Sequence, residues 1–231
     1  MTDMTDHQAH TASPAGANAS EPFRTPFPTY QVLAKWDSPS FDEATRTVVA
    51  RRLNEVPARQ FFSPEHYALL RAVMDCVLPQ PERSAAERIP VEAFIDEMLQ
   101  ANRGNGTRLE GTPPQREAWL RGLDAIEHEA LRRHAADFAR LAPAQQADVL
   151  RAIDEGDVDE QAWQGLHPRR FFRSVLMKES VKAYYAHPWA WNEIGFGGPA
   201  APRGYVRLGP DERDPWEAVQ ERPAQSVEEA S

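Results

Sequence analysis

The sequence predicts an all-α protein: an irregular bundle of about six helices with an extended N-terminal arm and a C-terminal segment rich in Gly, Pro and aromatic residues. Apolar residues recur at helical spacing in several stretches between residues 40 and 194. Most of these stretches begin at a Ser, Thr or Pro typical of a helix start. No run of alternating β-branched residues indicates a strand. The apolar stripes are short and the connections long, which favours an irregular bundle over four long antiparallel helices.

The first two helices have recognisable starts. Ser40-Phe41-Asp42-Glu43 fits a capping box and predicts a helix from Ser40 to about Leu53. Its predicted inward residues are Phe41, Ala44, Val48 and Leu53. Ser63-Pro64 predicts a second helix, with Ser at the N-cap and Pro in the first turn, that ends at Pro79. Its predicted inward face is Tyr67, Leu70, Val73, Met74, Val77 and Leu78.

The remaining helices follow from Pro and Gly punctuation. Pro90 predicts a third helix that stops at Gly104-Asn105-Gly106, with the stripe Val91, Phe94, Ile95, Met98 and Leu99. Thr112-Pro113 predicts a fourth, with Trp119, Leu123, Ile126 and Ala130 inward. A fifth is predicted from Pro143 to about Ile153 and a sixth from Pro168 to about Ala186. His187-Pro188 breaks the sixth, and Gly195 closes a short helical turn that runs through Asn192.

Composition divides the chain into four parts. Residues 1–22 lack large apolar groups and are predicted to be a disordered tail, and residues 207–231 an acidic C-terminal tail. The helical domain is predicted over 40–206. Between the N-terminal tail and the helical domain, residues 23–39 carry Phe27, Tyr30 and Trp36 interleaved with prolines, which predicts an extended arm. The arm either packs across its own domain or reaches onto a partner through these aromatic residues.

Charge and composition exclude several classes. The formal net charge of −9 argues against an electrostatic nucleic-acid binder. A single cysteine, Cys76, excludes an internal disulfide framework and leaves a buried thiol or a bond to another chain as alternatives. No apolar run is long enough to span a membrane. The first 28 residues have no apolar signal region, so we expect no export signal of the chain's own.

A search for catalytic and binding motifs finds no cofactor or metal site. Gly195-Phe196-Gly197-Gly198 has the wrong spacing for a dinucleotide loop, and the histidines are too scattered for a metal site. The acidic loop around Gly156 lacks the order of a calcium loop. His187 is the best single candidate for an active role. Its alternatives are acid–base catalysis, or a ring packed among aromatics with a nitrogen capping a carbonyl at the helix end.

Several blocks of the chain carry a family resemblance. They are Ser63-Pro64-Glu65 with Asp75-Cys76-Val77-Leu78-Pro79, Ile89-Pro90-Val91 with Phe94-Ile95-Asp96, Gly122 through Glu127, Phe138, Leu141, Pro143, Gln146 and Leu150, Phe171-Phe172, and above all Ala183 through Pro199. In their order they resemble subunit 3 of gluconate 2-dehydrogenase, the small subunit of sugar and sugar-acid dehydrogenases.

The resemblance implies an accessory role. Family members pair with a large FAD-containing flavoprotein of the glucose–methanol–choline type, often completed by a cytochrome, and bind no cofactor themselves. Many also supply a twin-arginine export signal, and this sequence departs from the family there. We therefore expect the complex to be cytoplasmic, or periplasmic if the partner carries the signal.

These observations together predict a non-catalytic subunit that binds and stabilises the flavoprotein and assists its maturation. The arm and the segment from Tyr184 to Tyr205 are dense in aromatics, Gly and Pro outside the helical stripes. We predict that they form the partner contact through Phe27, Tyr30, Trp36, Tyr184, Tyr185, His187, Trp189, Trp191, Phe196, Gly197, Gly198, Arg203 and Tyr205. The alternatives are a stand-alone enzyme that uses His187 as an acid or base, and a helical scaffold without a flavoprotein partner.

Overall fold

The computed structural model describes residues 25–104, 111–199 and 217–221. Every regular element within these ranges is helical, which confirms the predicted all-α class. The α-helices are α1 (Glu43–Asn54), α2 (Pro64–Val77), α3 (Val91–Gln100), α4 (Gln115–His134), α5 (Pro143–Glu155), α6 (Pro168–Arg170), α7 (Lys178–Tyr185) and α8 (Pro188–Ile194). A π-helical stretch, Phe171–Met177, joins α6 to α7, and short 3-10 turns cover Val32–Lys35, Phe138–Arg140 and Glu160–Trp163.

The main core surrounds α4. Trp119, Leu123 and Ile126 on this helix are fully buried, as the sequence predicts, and α4 packs against α2, α5 and the π-helical stretch. The ring of Phe171 lies edge-on to Trp119, with ring centroids 5.9 Å apart. Gly122 of α4 faces that ring so closely that only a residue without a side chain fits there.

Several predicted helix ends are confirmed. The Ser63 hydroxyl accepts a hydrogen bond from the amide of His66 at 3.1 Å, and Pro64 occupies the first turn of α2. Helix α5 begins at Pro143. Gly195 closes α8 in the left-handed conformation, with φ at +64°. Of the residues predicted to stop the third helix, Gly104 lies beyond its end at Gln100, and Asn105 and Gly106 fall outside the described residues.

The prediction for α1 is wrong in its cap and its register. Asp42, and not Ser40, is the N-cap of α1. Its carboxylate accepts a hydrogen bond from the amide of Thr45 at 2.7 Å, and hydrogen bonds from the side chain and backbone of Thr45 lower the pKa of Asp42. Thr45 and Val49 face inward, whereas Ala44 and Val48 are exposed. The apolar pattern fitted two inward faces, one through Val48 and one through Val49, because these residues are adjacent. The second face also contains Thr45, which is buried although sequence patterning treats threonine as polar.

Two further helices differ from expectation. Helix α4 starts at Gln115 because Pro113 precedes a second proline, Pro114, which disfavours helical geometry at the residue before it. The predicted sixth helix is present from Pro168 to Tyr185, but its middle third is the π-helical stretch, for which the sequence carries no signal.

Candidate partner-binding region

The arm lies against α8 of its own domain. The amide of Val32 donates to the side-chain oxygen of Asn192 at 2.8 Å, and the hydroxyl of Thr25 donates to the carbonyl of Glu193 at 2.8 Å. The arm is not extended throughout, since Val32–Lys35 forms a 3-10 turn. Of the two alternatives for the arm, packing across its own domain describes residues 25–39. We call residues 25–41 together with 183–199 the arm–α8 region.

An apolar cluster joins the arm, α1 and α8. Its buried members are Val32, Phe41, Val49 and Trp191, with Tyr30 and Trp36 packed around them. The indole N–H of Trp191 donates to the carbonyl of Tyr185 at 2.7 Å, so this large side chain is satisfied as well as buried. The cluster is separate from the main core and depends on residues far apart in sequence.

Glycines after α8 allow the chain to lie on this cluster. Gly198 has φ at +75°, and a side chain there would begin 3.1 Å from the ring of Trp191 and 3.3 Å from that of Phe41. Gly195 is equally constrained, since an added methyl group would meet Phe27 at 2.9 Å. The surface that these glycines approach is therefore the chain's own arm and cluster and, at Gly195, also Ala218, which would lie 2.8 Å from an added methyl group.

A polar network lies beneath α8. One oxygen of Glu193 accepts hydrogen bonds from the Tyr184 hydroxyl at 2.8 Å and from the Arg83 guanidinium, and both charged side chains are 14% exposed. Burial and the neighbouring carboxylate raise the pKa of Tyr184 well above its usual value. The network ties the loop after α2 to α7 and α8, which fixes the angle between the last two helices.

His187 is the N-cap of α8. Its Nδ1 accepts the amide of Trp189 at 3.3 Å, and its ring packs against Phe94 and Trp189. The sequence prediction of an aromatic environment is confirmed, but the capped group is an amide at a helix start and not a carbonyl at a helix end. Burial and the positive charges of Arg83 and Arg52 lower the pKa of His187 to about 4, while a hydrogen bond with the Arg52 backbone opposes that shift.

The structure brings most of the predicted contact residues into one region. Tyr184, His187, Trp191 and Gly198 are buried within it, and Phe196 is exposed at 40%. Partly exposed members are Phe27, Tyr30, Trp36, Tyr185, Trp189 and Gly197. Arg203 and Tyr205 lie outside the described residues. The accessible surface of these predicted contact residues consists of the partly exposed rims of the aromatic side chains and the ring of Phe196, which stands edge-on to Trp191 with ring centroids 5.5 Å apart.

A comparison with family models identifies the chain. The model described as gluconate 2-dehydrogenase subunit 3 matches residues 64–198. The chain belongs to this family. As a gluconate 2-dehydrogenase subunit 3 protein, it is a subunit of a dehydrogenase complex by the family's description. No curated protein and no solved structure matches it.

The match begins with α2 and ends at Gly198, so the arm and α1, which precede α2, lie outside it. In this subunit 3 protein, the α8 half of the arm–α8 region thus lies within the matched stretch, and the arm half lies outside it. Sequence reasoning missed two residues that hold α8 and the segment after it: Lys35 of the arm, whose ammonium group donates to the carbonyl of Gly197, and Arg83 of the loop after α2. Arg83 sits in a polar loop, and its bond to Glu193 spans more than one hundred residues, so local patterning carries no signal for it.

Several residues outside the arm–α8 region were candidates for chemistry in the sequence. Among residues 25–104, 111–199 and 217–221, no group of His, Cys, Asp and Glu could hold a metal ion, and no helix is long and apolar enough to cross a membrane. Cys76 is a partly buried free thiol whose pKa burial raises, which favours the first of its two alternatives, a buried thiol. His128 pairs with Asp159 at the surface, and the acidic loop binds Arg133 through Asp157 at 2.8 Å.

Proposed function

We propose that this chain is a non-catalytic accessory subunit that binds a large FAD-containing oxidoreductase of the glucose–methanol–choline type and assists its maturation. The observation that carries the proposal is the family membership over residues 64–198, which makes the chain a subunit of a dehydrogenase complex. The FAD and the oxidation of a sugar, sugar acid or polyol belong to the partner in this proposal.

The arm–α8 region supports the proposal as the contact surface. It joins aromatic side chains from both ends of the described chain on a rigid base of buried rings and hydrogen bonds. Partly exposed aromatics held in fixed positions lose little freedom on binding, which is why interfaces favour them. Phe196 is the most exposed aromatic of the predicted contact residues that the structure describes.

The alternative of a stand-alone enzyme that uses His187 finds no support in its surroundings. The ring is 3% exposed, its Nδ1 is occupied as a helix cap, and its pKa of about 4 keeps it neutral at pH 7. A general acid or base near neutral pH needs a pKa close to the operating pH and access to substrate. His187 has neither.

Coexpression tests the proposal. The large flavoprotein is produced with and without this chain, and flavin absorbance and dehydrogenase activity are measured on the purified protein. We expect full FAD loading and activity only when the two chains are coexpressed and copurify. A large subunit that loads FAD and turns over at the same rate alone would refute the proposal.

A matched pair of variants locates the contact. Phe196→Ser removes an aromatic ring that is 40% exposed in the arm–α8 region, and Leu131→Ser removes an apolar side chain that is 48% exposed on α4. We expect the first to reduce copurification and the second to leave it unchanged. Equal effects would place the contact elsewhere on the chain.

A further inference from the structure

A second surface borders the arm–α8 region. Residues of helices α1, α3 and α7 line an open groove of about 600 Å³, which we call the α1–α3 groove. The buried side chains of Ile95 and His187 line it, so it shares His187 with the arm–α8 region. Its size is that of a site for a chain segment or a small molecule.

The groove has an apolar rim that the fold leaves uncovered. Val48 of α1 is 56% exposed and Val56, just after α1, is 66% exposed, and both line the groove. Val48 is the residue that sequence patterning assigned to the core, but its neighbour Val49 takes that place. Helix α1 therefore packs its apolar face on α8 and presents Val48, together with Arg51 and Arg52, to the groove. An exposed apolar rim next to a concave surface is typical of an interaction site.

The charges around the groove are unbalanced. Arg51, Arg52, Arg103 and Lys182 line the groove against Glu55, Glu97 and Glu179, which leaves one cation in excess. Arg51 binds Glu97 at 2.9 Å and Glu55 at 3.3 Å, Arg103 binds Glu97 at 3.4 Å, and Lys182 binds Glu179 at 3.2 Å. Arg52 is partly buried, and its guanidinium donates to the carbonyl of Ala186. Within the part of the chain that the structure describes, no carboxylate lies at ion-pair distance from Arg52; Glu97 acts on it only through its field.

A partly buried cation whose bonded partner is a neutral carbonyl is short of a countercharge. Burial accordingly lowers the pKa of Arg52. A carboxylate brought by a ligand would supply the missing charge and could bind the guanidinium in a bidentate manner. The rim residues Val48 and Val56 line the same groove and add apolar contacts. A free sugar acid, which is hydroxylated along its whole length, would leave these contacts unused.

We propose that the α1–α3 groove binds an extended segment of the large flavoprotein subunit, one that carries a carboxylate side chain for Arg52 and apolar side chains for Val48 and Val56. This inference rests on the proposed function. It names the partner segment by its chemistry, and the shared His187 makes the groove continuous with the arm–α8 region.

Charge-directed variants test the proposal on the coexpressed complex. Val48→Glu places a carboxylate four residues before Arg52, on the same helix face, where it competes for the guanidinium. Val48→Lys adds similar bulk without that competition. Val181→Glu, at a site on α7 that is 38% exposed and does not line the groove, is the matched control.

We expect Val48→Glu to weaken the affinity of the two subunits about tenfold, Val48→Lys to weaken it about threefold or less, and Val181→Glu to leave it unchanged. Equal effects of Val48→Glu and Val48→Lys would overturn the carboxylate. No effect of either, in a complex that still forms and loads FAD, would overturn the groove and leave the proposed function standing. Failure of the unaltered chains to form a complex would instead refute the proposed function.

Cross-linking identifies the occupant directly. A photo-reactive amino acid replaces Val56 in the complex, and the cross-linked peptide is sequenced. We expect a segment of the large subunit that contains Asp or Glu between apolar residues. A peptide from this chain or from a second copy of it would overturn the proposal, as would saturable binding of free gluconate that Arg52→Gln abolishes.

Discussion

Replacing Gly122 with alanine sets two opposing effects against each other in the middle of α4. Alanine is the better helix former, and on helix propensity alone the substitution would stabilise the protein by about 1 kcal/mol. The added methyl group, however, would begin only 2.1 Å from the ring of Phe171, far inside van der Waals contact. The sign of the change depends on whether that ring can move.

The surroundings of Phe171 indicate that it cannot. The ring is fully buried, with the ring centroids of Trp119 and Trp163 at 5.9 and 6.0 Å. To restore normal contact it would have to move by more than an ångström into these neighbours. Overpacking of this kind costs about 1–3 kcal/mol, and the rigid surroundings favour the upper end. We therefore expect a net loss of about 2 kcal/mol, since the propensity gain offsets only part of the cost.

Thermal and urea unfolding measure the effect. A loss of about 2 kcal/mol lowers the Tm of a domain of this size by about 4–8 °C. The double variant Gly122→Ala with Phe171→Leu serves as the control, because the smaller side chain returns the space that the methyl group takes. We expect the double variant to be more stable than the sum of the two single changes predicts. A Gly122→Ala protein that melts at or above the temperature of the unaltered chain would refute the reasoning.

Three further predictions follow from buried polar and backbone positions. Asp96 is fully buried and accepts the amides of residues 60, 61 and 62, so Asp96→Ala should cost about 3–4 kcal/mol in urea unfolding by leaving these donors unpaired. Folding lowers the pKa of His187 to about 4, so the unfolded chain binds more protons than the folded chain below pH 6.5. The free energy of unfolding should therefore fall by about 3 kcal/mol as the pH drops from 6.5 to 4. A His187→Asn variant should show a smaller loss over that range. Gly198→Ala should lower the free energy of unfolding by about 1–2 kcal/mol, because its φ of +75° and its approach to Trp191 both oppose a side chain; no change on calorimetry would contradict this.

Features governed by local rules could be predicted from the sequence. Ser63-Pro64 and Gly195 place the start of α2 and the end of α8, because capping depends on residues within one turn. The contact of His187 with Trp189 was likewise predictable from its immediate neighbours, whereas its contact with Phe94 of α3 was not. The sequence predicted that the arm and the segment around α8 contribute to one contact with another chain. It did not predict that the two segments pack directly on each other.

What the sequence did not show depends on contacts between distant parts of the chain. The inward face of α1 is decided by packing on α8, since Val48 and Val49 are equally apolar. The π-helical stretch begins where Phe171 meets Gly122, and no local pattern announces it. The groove forms where α1, α3 and α7 come together. Neither its exposed apolar rim nor the partial burial of Arg52 could therefore be predicted from the spacing of residues along the sequence.

The hydrogen bond between Val32 and Asn192 joins residues 160 positions apart, which has a consequence for biosynthesis. During translation the arm leaves the ribosome long before its binding site on α8 exists, and it must wait for nearly the whole domain to follow. We therefore expect docking of the arm to be one of the last folding steps during synthesis. Until that step, the aromatic side chains of the arm are accessible to chaperones and, on the proposed function, to the flavoprotein partner, so we expect that assembly of the proposed complex can begin before this chain has finished folding.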